Sequence, residues 1–268
     1  MASRLTVATL NTRGLPLKGS RISERFTAIA AHFNASEIDL VCLQEVFAYR
    51  HLTHLRKGMP SFPHAAYRRS VVGPAGGLVT LSRLRFAGTA YARLPRPSRH
   101  SGLPARTRLN ALHSGMLTVR LSDSGVRVIN IHPTANTDGN WSEQNRFRQL
   151  QHDQLTALAQ AVKADSSPTV VCGDFNVAQA STLHSDLRHQ SGLQDTFNAQ
   201  CPPTYHPKYL APGNNPHCID FILTTKDIEV TATNLLFTDH QALPTGPTHL
   251  SDHIGLSAQL HFPSESTP

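Results

Sequence analysis

Cysteine and long apolar stretches are scarce in this sequence, and their scarcity excludes several classes of protein. The 268 residues include four cysteines, which are too few and too scattered for a disulfide framework or a Cys-x-x-Cys zinc site. Cys42 and Cys172 lie in apolar strand-like runs, which is typical of buried free thiols. Cys201 and Cys218 could pair only in an exported protein. No stretch approaches the roughly 20 apolar residues that span a bilayer.

Several targeting and catalytic motifs are also missing. The N-terminal residues run directly into a strand-like segment, without an apolar signal core and a small-residue cleavage site. We therefore expect a cytoplasmic protein, unless a leader was removed. The sequence has no Gly-x-x-x-x-Gly-Lys loop, no Gly-x-Ser-x-Gly elbow and no His-Glu-x-x-His pair. These absences argue against P-loop, serine-hydrolase and zinc-peptidase chemistry.

The charge is strongly positive. There are 25 Lys and Arg against 18 Asp and Glu, which gives +7 and a pI near 9.6. This balance favours an anionic partner, such as nucleic acid, a phosphorylated metabolite or an acidic membrane surface. Neither repeats nor a low-complexity linker divide the chain. We expect one domain at 1–262, a short tail at 263–268, and a monomer.

The hydrophobic pattern predicts strands alternating with a few helices. Apolar runs bounded by Gly, Pro, Asn and Ser predict strands at 5–10, 40–43, 78–81, 116–121, 126–131, 169–172, 219–223 and 254–260. Helical periodicity covers 21–33 and 142–163, where Ser142 is a candidate cap. We expect exposed loops at 94–107 and 208–216. The order predicts an α/β layered fold with loops clustered at one edge.

Polar residues interrupt or follow the apolar strands at several places. An isolated buried carboxylate is costly unless it is paired or bound to a metal ion. Repetition at strand ends therefore indicates one shared polar site above a sheet sandwich. The residues concerned are Asn11, Gln44, Glu45, His132, Asp174, Asn176, Asp220, Asp252 and His253.

This set matches the requirements of phosphate-ester hydrolysis. Mg²⁺, with Mn²⁺ as a substitute, prefers the oxygen ligands that Asn11, Glu45 and Asp252 offer. The cation would neutralise the phosphoryl and leaving oxygens. A water must also be deprotonated, which suits His253 with Asp220 as its orienting partner.

The remaining polar residues predict roles around the phosphorus atom. Asn176 and His132 are candidates to hold the charge that develops there. Asp174 is a candidate to position the water or to assist protonation of the leaving group.

The ordered motifs resemble the endonuclease/exonuclease/phosphatase superfamily, which includes pancreatic-type deoxyribonucleases, AP endonucleases, inositol polyphosphate phosphatases and neutral sphingomyelinases. The resemblance runs through Thr-Leu-Asn at 9–11, Leu-Gln-Glu at 43–45, Gly-Asp-Phe-Asn at 173–176, Cys-Ile-Asp-Phe at 218–221 and Ser-Asp-His at 251–253. It implies a four-layered α/β sandwich with two central, mostly antiparallel β-sheets flanked by helices, and a Mg²⁺ site at one edge. It also implies the metal-binding, phosphate-binding and Asp220–His253 roles given above.

Within the superfamily, the closest resemblance is to sphingomyelinase-like members. The segments Asn-Thr-Arg-Gly-Leu-Pro-Leu at 11–17 and Leu-Ser-Asp-His at 250–253 are similar to theirs. One departure is Ser114 before Gly115, where that subfamily usually has lysine. The resulting hypothesis is a phosphohydrolase acting on a small or lipid-linked phosphodiester, or on a phosphomonoester.

Two other functions stay open at this point. A nuclease is favoured by the net charge and by the arginines of 93–108, among which Arg106 and Arg108 are candidate substrate contacts. Few aromatic residues are interleaved with these arginines, so the sequence gives only weak support for base stacking. A catalytically inactive phosphate-binding module is the third hypothesis, and the intact Glu45, Asp174 and His253 argue against it.

Overall fold

Two six-stranded β-sheets form the centre of the computed structural model, which describes residues 3–16, 19–98, 101–136, 141, 143–198 and 200–262. The first sheet has β1 (Ser3–Asn11), β2 (Leu40–Gln44), β3 (His64–Ala66), β4 (Val79–Ser82), β11 (Glu229–Leu236) and β12 (Gly255–Phe262), in the order β11-β12-β1-β2-β4-β3. The second has β5 (Phe86–Arg93), β6 (Gly115–Leu121), β7 (Arg127–Ile131), β8 (Thr169–Asp174), β9 (Gln194–Asp195) and β10 (Asp220–Thr224), in the order β5-β6-β7-β8-β10-β9.

Helices cover the outer faces of both sheets. They are α1 (Ile22–Ala35) and α2 (Tyr49–Gly58) on the first sheet and α4 (Arg148–Lys163) and α5 (Thr182–Ser191) on the second. A short helix α3 (Ala105–Asn110) and 3₁₀ helices at Ala75–Gly77 and Pro207–Tyr209 lie in connecting segments. Within the described part of the chain, no helix is both long and apolar enough to cross a membrane.

Alternation along the strands builds three apolar layers. Val7 of β1 points between the sheets, whereas its neighbours Ala8 and Leu10 join Phe26 and Phe33 under α1 and α2, because successive strand side chains face opposite ways. Leu155 and Leu187 of α4 and α5 cover the second sheet in the same manner. The predicted four-layered sandwich is confirmed.

Each sheet contains one parallel pair among antiparallel neighbours. The parallel pairs are β1 with β2 and β7 with β8. The sheets stack with β12 against β10, β1 and β2 against β8, and β4 against β6. The carboxyl ends of the four parallel strands therefore meet at one end of the sandwich, where the antiparallel β10 and β12 begin.

All eight predicted strands are confirmed, with ends that differ by up to two residues. The strands β3, β5, β9 and β11 were not predicted. All four lie at sheet edges, and the side chains of β5 and β11 are largely exposed or half-buried. Edge strands of this kind carry no apolar run that would reveal them.

The helical predictions are confirmed in part. Helix 21–33 is observed as α1, but α2 and α5 were not predicted, since each has few apolar positions. The start at 142 is wrong, because the Asn145 side chain accepts from the Phe147 N–H at 2.8 Å and α4 begins at Arg148. Such local bonds compete with helix. Ser142 lies outside the described residues, as does the predicted tail at 263–268.

The predicted loop at 94–107 is also corrected. Leu94 and Leu103 are buried, and α3 begins at Ala105, directly after Pro104. Proline fixes the backbone and suits the first position of a helix or the residue before it. The second predicted loop, 208–216, begins inside the short 3₁₀ helix and is otherwise without regular structure.

Candidate active site

Asp174, the last residue of β8, is the hub of a buried polar cluster. Its carboxylate accepts from the Asn11 amide at 2.9 Å and from the backbone N–H of Asn176 at 2.9 Å. His132 Nε2 lies 3.4 Å and His253 Nε2 3.7 Å from its Oδ2. Residues from both sheets, far apart in the sequence, therefore meet around one carboxylate.

His253 and Asp220 form a buried hydrogen-bonded dyad. His253 Nδ1 is 2.8 Å from Asp220 Oδ2, and both residues are at least 96% inaccessible to solvent. The Ser251 hydroxyl accepts from the His253 N–H at 3.2 Å and donates to the Asn11 carbonyl at 2.6 Å, which fixes the start of β12 against the end of β1. Thr204 Oγ1 accepts from the Asp220 N–H at 3.1 Å.

The ionisation states follow from these contacts. Burial opposes a charge on His253, but Asp220 and Asp174 together outweigh it and raise the pKa of His253 to about 10. Burial also opposes charge on Asp174, yet His253 and His132 lower the pKa of Asp174 to about 2.

Burial is the main reason why the pKa of Asp220 is raised. Asp220 and His253 both have raised pKa values, so a proton between them could lie on the carboxylate or on the imidazole. We assign the proton to the imidazole, because His253 faces two carboxylates. His132 resembles it: burial lowers its pKa, but the Asp174 carboxylate more than compensates and the net direction is upward.

Glu45 follows β2 in a backbone conformation that its glycine neighbours make possible. Its φ is 62°, in the left-handed region that L-residues rarely adopt. A Cβ on Gly77 would lie 2.9 Å from the Glu45 Cα, and one on Gly14 would collide with the Glu45 carbonyl oxygen. The chain therefore closes tightly on both sides of Glu45 and aims its carboxylate at the cluster.

The Glu45 carboxylate has little compensation for its charge. The Asn11 amide nitrogen lies 3.3 Å from Oε1, which is a long hydrogen bond. Burial is the main cause of a raised pKa at Glu45, and the nearby Asp252 adds to it. Asp252 is half-buried, with Arg13 Nε 3.5 Å from its Oδ2.

The donors around Glu45 suit a hard divalent cation. A buried carboxylate with a raised pKa, a second carboxylate and an amide are the oxygen-rich ligands that such ions prefer. Asp174, Asp220 and His253 also lie close enough together to hold an ion. We favour the Glu45 side, because the imidazole Nδ1 of His253 is already bonded to Asp220.

Asn11 and Asn176 use their amides within the protein. The Asn11 nitrogen faces Glu45 and Asp174, while its oxygen accepts from the Arg13 N–H at 3.0 Å. The Asn176 amide donates to the Pro133 carbonyl at 3.2 Å. Their predicted roles at the cation and the phosphate stay predictions.

The predicted substrate arginines are not part of this cluster as described. Arg108 lies on the exposed side of α3, and the side chain of Arg106 lies outside the described residues. Substrate binding by either residue stays a prediction.

Arg25 is an important residue that sequence reasoning missed. It is 2% exposed and donates to four carbonyl oxygens at 2.6–2.9 Å, those of Thr12, Arg13, Ser20 and Leu250. It thereby joins the segment after β1 to the segment before β12. A signal was available, because helical spacing places Arg25 on the apolar face with Ile22 and Ile29.

A second group lies between the sheets; sequence reasoning identified its Gln44 as a polar residue at a strand end but missed the partner, Asn130. Gln44 Nε2 donates to Asn130 Oδ1 at 2.8 Å, and Asn130 donates to the carbonyls of Leu43 and Val79. All these groups are buried, so the bonds fix the two sheets in one relative position. No local pattern reveals a pair that is 86 residues apart.

Aromatic rings flank the dyad. The Tyr205 ring is edge-on to His253 with centroids 5.0 Å apart, and Trp141 lies 5.3 Å from Tyr205. Trp141 is the single tryptophan of the sequence. Arg13 lies 4.2 Å over the Tyr209 ring on the same side.

A family model described as "Endonuclease/Exonuclease/phosphatase family" matches residues 8–253 of this chain. The chain belongs to the endonuclease/exonuclease/phosphatase family. Members of this family are generally hydrolases that act on phosphate esters. The match begins in β1 and ends at the dyad histidine, so it includes the whole polar cluster.

Three relatives illustrate the similarity. The chain is 25% identical over 196 residues to a putative neutral sphingomyelinase from Drosophila melanogaster, covering 73% of this chain and 44% of that protein. It thus spans less than half of that relative's length.

The fold is similar to that of sphingomyelinase C from Streptomyces griseocarneus, with a TM-score of 0.72 and 16% identity over 96% and 99% of the two chains. It is also similar to a beta toxin variant from Staphylococcus aureus with bound magnesium ions, with a TM-score of 0.70 and 17% identity over 96% and 99%. At these identities the two structures support the fold alone.

Proposed function

We propose that this family member hydrolyses a phosphodiester on a small or lipid-linked substrate, through attack by a water that His253 deprotonates. One observation carries the proposal: His253 Nδ1 is bonded to the buried Asp220 at 2.8 Å, and its Nε2 points toward Asp174. A histidine held by a carboxylate on one nitrogen can accept a proton on the other.

The neighbouring residues have complementary roles in this proposal. Asp220 fixes the imidazole orientation and stabilises its positive form. Asp174, which stays ionised because its pKa is lowered to about 2, orients the water by accepting a hydrogen bond. His132 Nε2 lies 3.4 Å from Asp174, and the backbone N–H of Asn176 donates to the same carboxylate. In this proposal His132 and the Asn176 side-chain amide donate to the phosphoryl oxygens as negative charge accumulates there.

We further propose that Glu45, Asp252 and Asn11 hold Mg²⁺, for which Mn²⁺ can substitute. When bound there, the cation would supply positive charge that polarises the phosphoryl group and would offset the carboxylates that raise the pKa of His253. This matters because a base must be neutral before it can accept a proton, whereas the pKa of His253 is about 10 in the protein alone. The raised pKa of Glu45 supports the same assignment.

The substrate class rests on the similarity to the neutral sphingomyelinase relative and on the sphingomyelinase-like segments at 11–17 and 250–253. We propose a sphingomyelinase-like substrate in which the phosphodiester joins a lipid to a polar head group. A phosphomonoester is the less favoured substrate within the same chemistry. A nuclease is the competing function, and the net charge of +7 favours it.

A panel of substrates in parallel tests these alternatives. Turnover is measured with sphingomyelin in mixed micelles, a phosphorylated metabolite and plasmid DNA, each with Mg²⁺ and with EDTA. We expect Mg²⁺-dependent release of a phosphorylated head group from sphingomyelin and little change in the DNA.

Salt dependence separates the nuclease from the lipid hydrolase. Binding across many phosphates weakens steeply as salt rises, because counterions are released. DNA cleavage that is strongest at low salt, together with inert sphingomyelin, would overturn the proposed substrate class. Activity that persists in EDTA would overturn the role of the cation.

A further inference from the structure

The excess of positive charge in this protein comes from one stretch of the sequence. Residues 46–122 contain 13 Lys and Arg and no Asp or Glu. The rest of the chain has the other 12 basic residues and all 18 acidic ones, which is a balance of −6. The overall charge of +7 is therefore the sum of a strongly basic segment and an acidic remainder.

The fold converts this division into two sides of the molecule. Residues 46–122 supply β3 and β4 at one edge of the first sheet and β5 and β6 at one edge of the second. Because β4 packs against β6, these two edges form one lateral side of the sandwich. The opposite side is formed by β9, β10, β11 and β12, where Asp195, Asp227 and Glu229 lie close together.

Most of the basic side chains on this side face solvent. Arg83 and Arg120 have structural contacts, with backbone carbonyls and with Asp165 respectively. The exposed ones whose side chains are described are Arg50, Arg56, Lys57, Arg68, Arg69, Arg85, Arg93, Arg96 and Arg108. A surface with this many cations and no acidic residue from its own segment attracts a polyanion.

Two valines project from this side at the tip of a tight turn. Val71 is 98% and Val72 74% exposed, the highest values among the large apolar residues that are described. The turn is ordered, since the Ser70 N–H and hydroxyl both donate to the Gly73 carbonyl and the Tyr49 hydroxyl donates to the Ser70 carbonyl at 2.7 Å. The valines are thus held in water by a rigid frame.

The same turn adjoins the candidate active site. Val46, directly after Glu45, donates its N–H to the Gly77 carbonyl at 2.9 Å. Gly73 approaches Phe47 so closely that a Cβ there would collide with the Phe47 carbonyl. A surface bound at the turn would therefore lie beside the segment that carries Glu45.

We propose that this basic side docks on an anionic lipid surface, with Val71 and Val72 entering the interface and Arg68 and Arg69 contacting lipid phosphates. An apolar tip within a basic surface is complementary to a bilayer with acidic head groups. Nucleic acid would match the charge but would leave the two exposed valines in water.

The docking does not depend on the catalytic proposal. Only the statement that docking brings lipid-linked phosphodiesters to the site rests on the proposed function. Binding to vesicles and turnover of a soluble substrate are separate measurements, so either proposal can fail alone.

The test is cosedimentation of the full chain with vesicles of phosphatidylcholine alone or with about 30 mol% phosphatidylserine. We expect binding only to the anionic vesicles. The double variant Arg68→Glu/Arg69→Glu should bind about 30-fold more weakly, since each basic residue near such a surface contributes several-fold. Val71→Asn/Val72→Asn, which leaves the charge unchanged, should bind about tenfold more weakly.

Matched controls isolate position from charge. Lys163→Glu/Lys226→Glu makes the same charge change at exposed positions outside the segment and should keep most of the vesicle binding. Mg²⁺-dependent turnover of bis(p-nitrophenyl) phosphate, a soluble diester, should be the same in every variant. Equal losses in the two double-glutamate variants would overturn the proposal, as would vesicle binding that ignores the valines.

A duplex oligonucleotide is the competing ligand in the same experiment. If the oligonucleotide binds and anionic vesicles do not, the basic side is a nucleic-acid surface and the lipid proposal is wrong. Binding to both, with only vesicle binding reduced in Val71→Asn/Val72→Asn, would support it.

Discussion

Asp174 and Glu45 lie at the ends of strands from different sheets, and their surroundings affect the two carboxylates differently. In the second sheet, Asp174 is surrounded by Asn11, His132, Asn176 and His253, and its pKa is lowered to about 2. In the first sheet, Glu45 has one long hydrogen bond and a raised pKa. Asp174 is thus part of a largely paired acid–base network, whereas the charge of Glu45 is offset only in part, by His132, His253 and Asn11.

This difference indicates separate roles for the two carboxylates: Asp174 in proton transfer and Glu45 in binding a cation. A network in which most charges are paired is suited to moving protons with little rearrangement. A carboxylate that is destabilised in the isolated protein gains most when a cation arrives. The following variants test the two roles separately, beginning with the largest expected effect.

His253→Ala removes the proton acceptor of the network around Asp174. We expect kcat to fall by about three orders of magnitude, because general-base catalysis contributes on this scale. The measurement is steady-state turnover at saturating Mg²⁺. The control is His189→Ala on the exposed side of α5, and a loss of only a few-fold at His253 would show that the base lies elsewhere.

Glu45→Gln tests the carboxylate whose charge the protein offsets only in part. We expect Mg²⁺ affinity to fall about 100-fold, since a cation loses one charged ligand. The raised pKa of Glu45 means that its ionised form destabilises the folded protein at neutral pH, so the variant should unfold at a higher temperature than wild type in EDTA. Calorimetric titration with Mg²⁺ and thermal unfolding measure both quantities.

The exposed Glu37 offers a matched control for that variant. Glu37→Gln should change neither Mg²⁺ affinity nor the unfolding temperature. If the Glu45→Gln protein binds Mg²⁺ normally, the cation lies on the Asp174 side, and the proposed difference between the roles of Glu45 and Asp174 is wrong.

Arg25→Met removes the side chain that joins the segment after β1 to the segment before β12. Four carbonyls lose a charged donor, and we expect a loss of about 3 kcal/mol in the free energy of unfolding. Urea denaturation measures it. Arg56→Met, at an exposed position of α2, should be almost neutral; a similarly small loss at Arg25 would contradict its structural role.

Asp174→Asn should have the opposite sign to Glu45→Gln in EDTA. A carboxyl pKa lowered from 3.8 to about 2 stabilises the folded protein above pH 4, by about 2 kcal/mol. That contribution is lost as pH falls from about 4 to about 2. Unfolding measured across this range should be less pH-dependent in the variant, and equal slopes would contradict the assignment.

The sequence predicts the centre of the molecule better than its borders. Buried strands such as β2 and β8 have continuous apolar runs and were predicted, while the exposed strands β5 and β11 have none. The clustering of Asn11, Asp174 and His253 was predictable, because each interrupts or flanks an apolar strand. Arg25 was overlooked although helical spacing places it on the apolar face of α1. The Gln44–Asn130 bond depends on a tertiary contact that no local pattern encodes.

Gly14 and Gly77 have a consequence for anyone who surveys variants of this protein. Neither carries a side chain that could meet a substrate, yet each leaves the space that the Glu45 backbone occupies at a φ of 62°. Alanine at either position should inactivate the enzyme much as the loss of Glu45 does. In a mutational scan both glycines would score with the active site, and a search restricted to polar residues would overlook them.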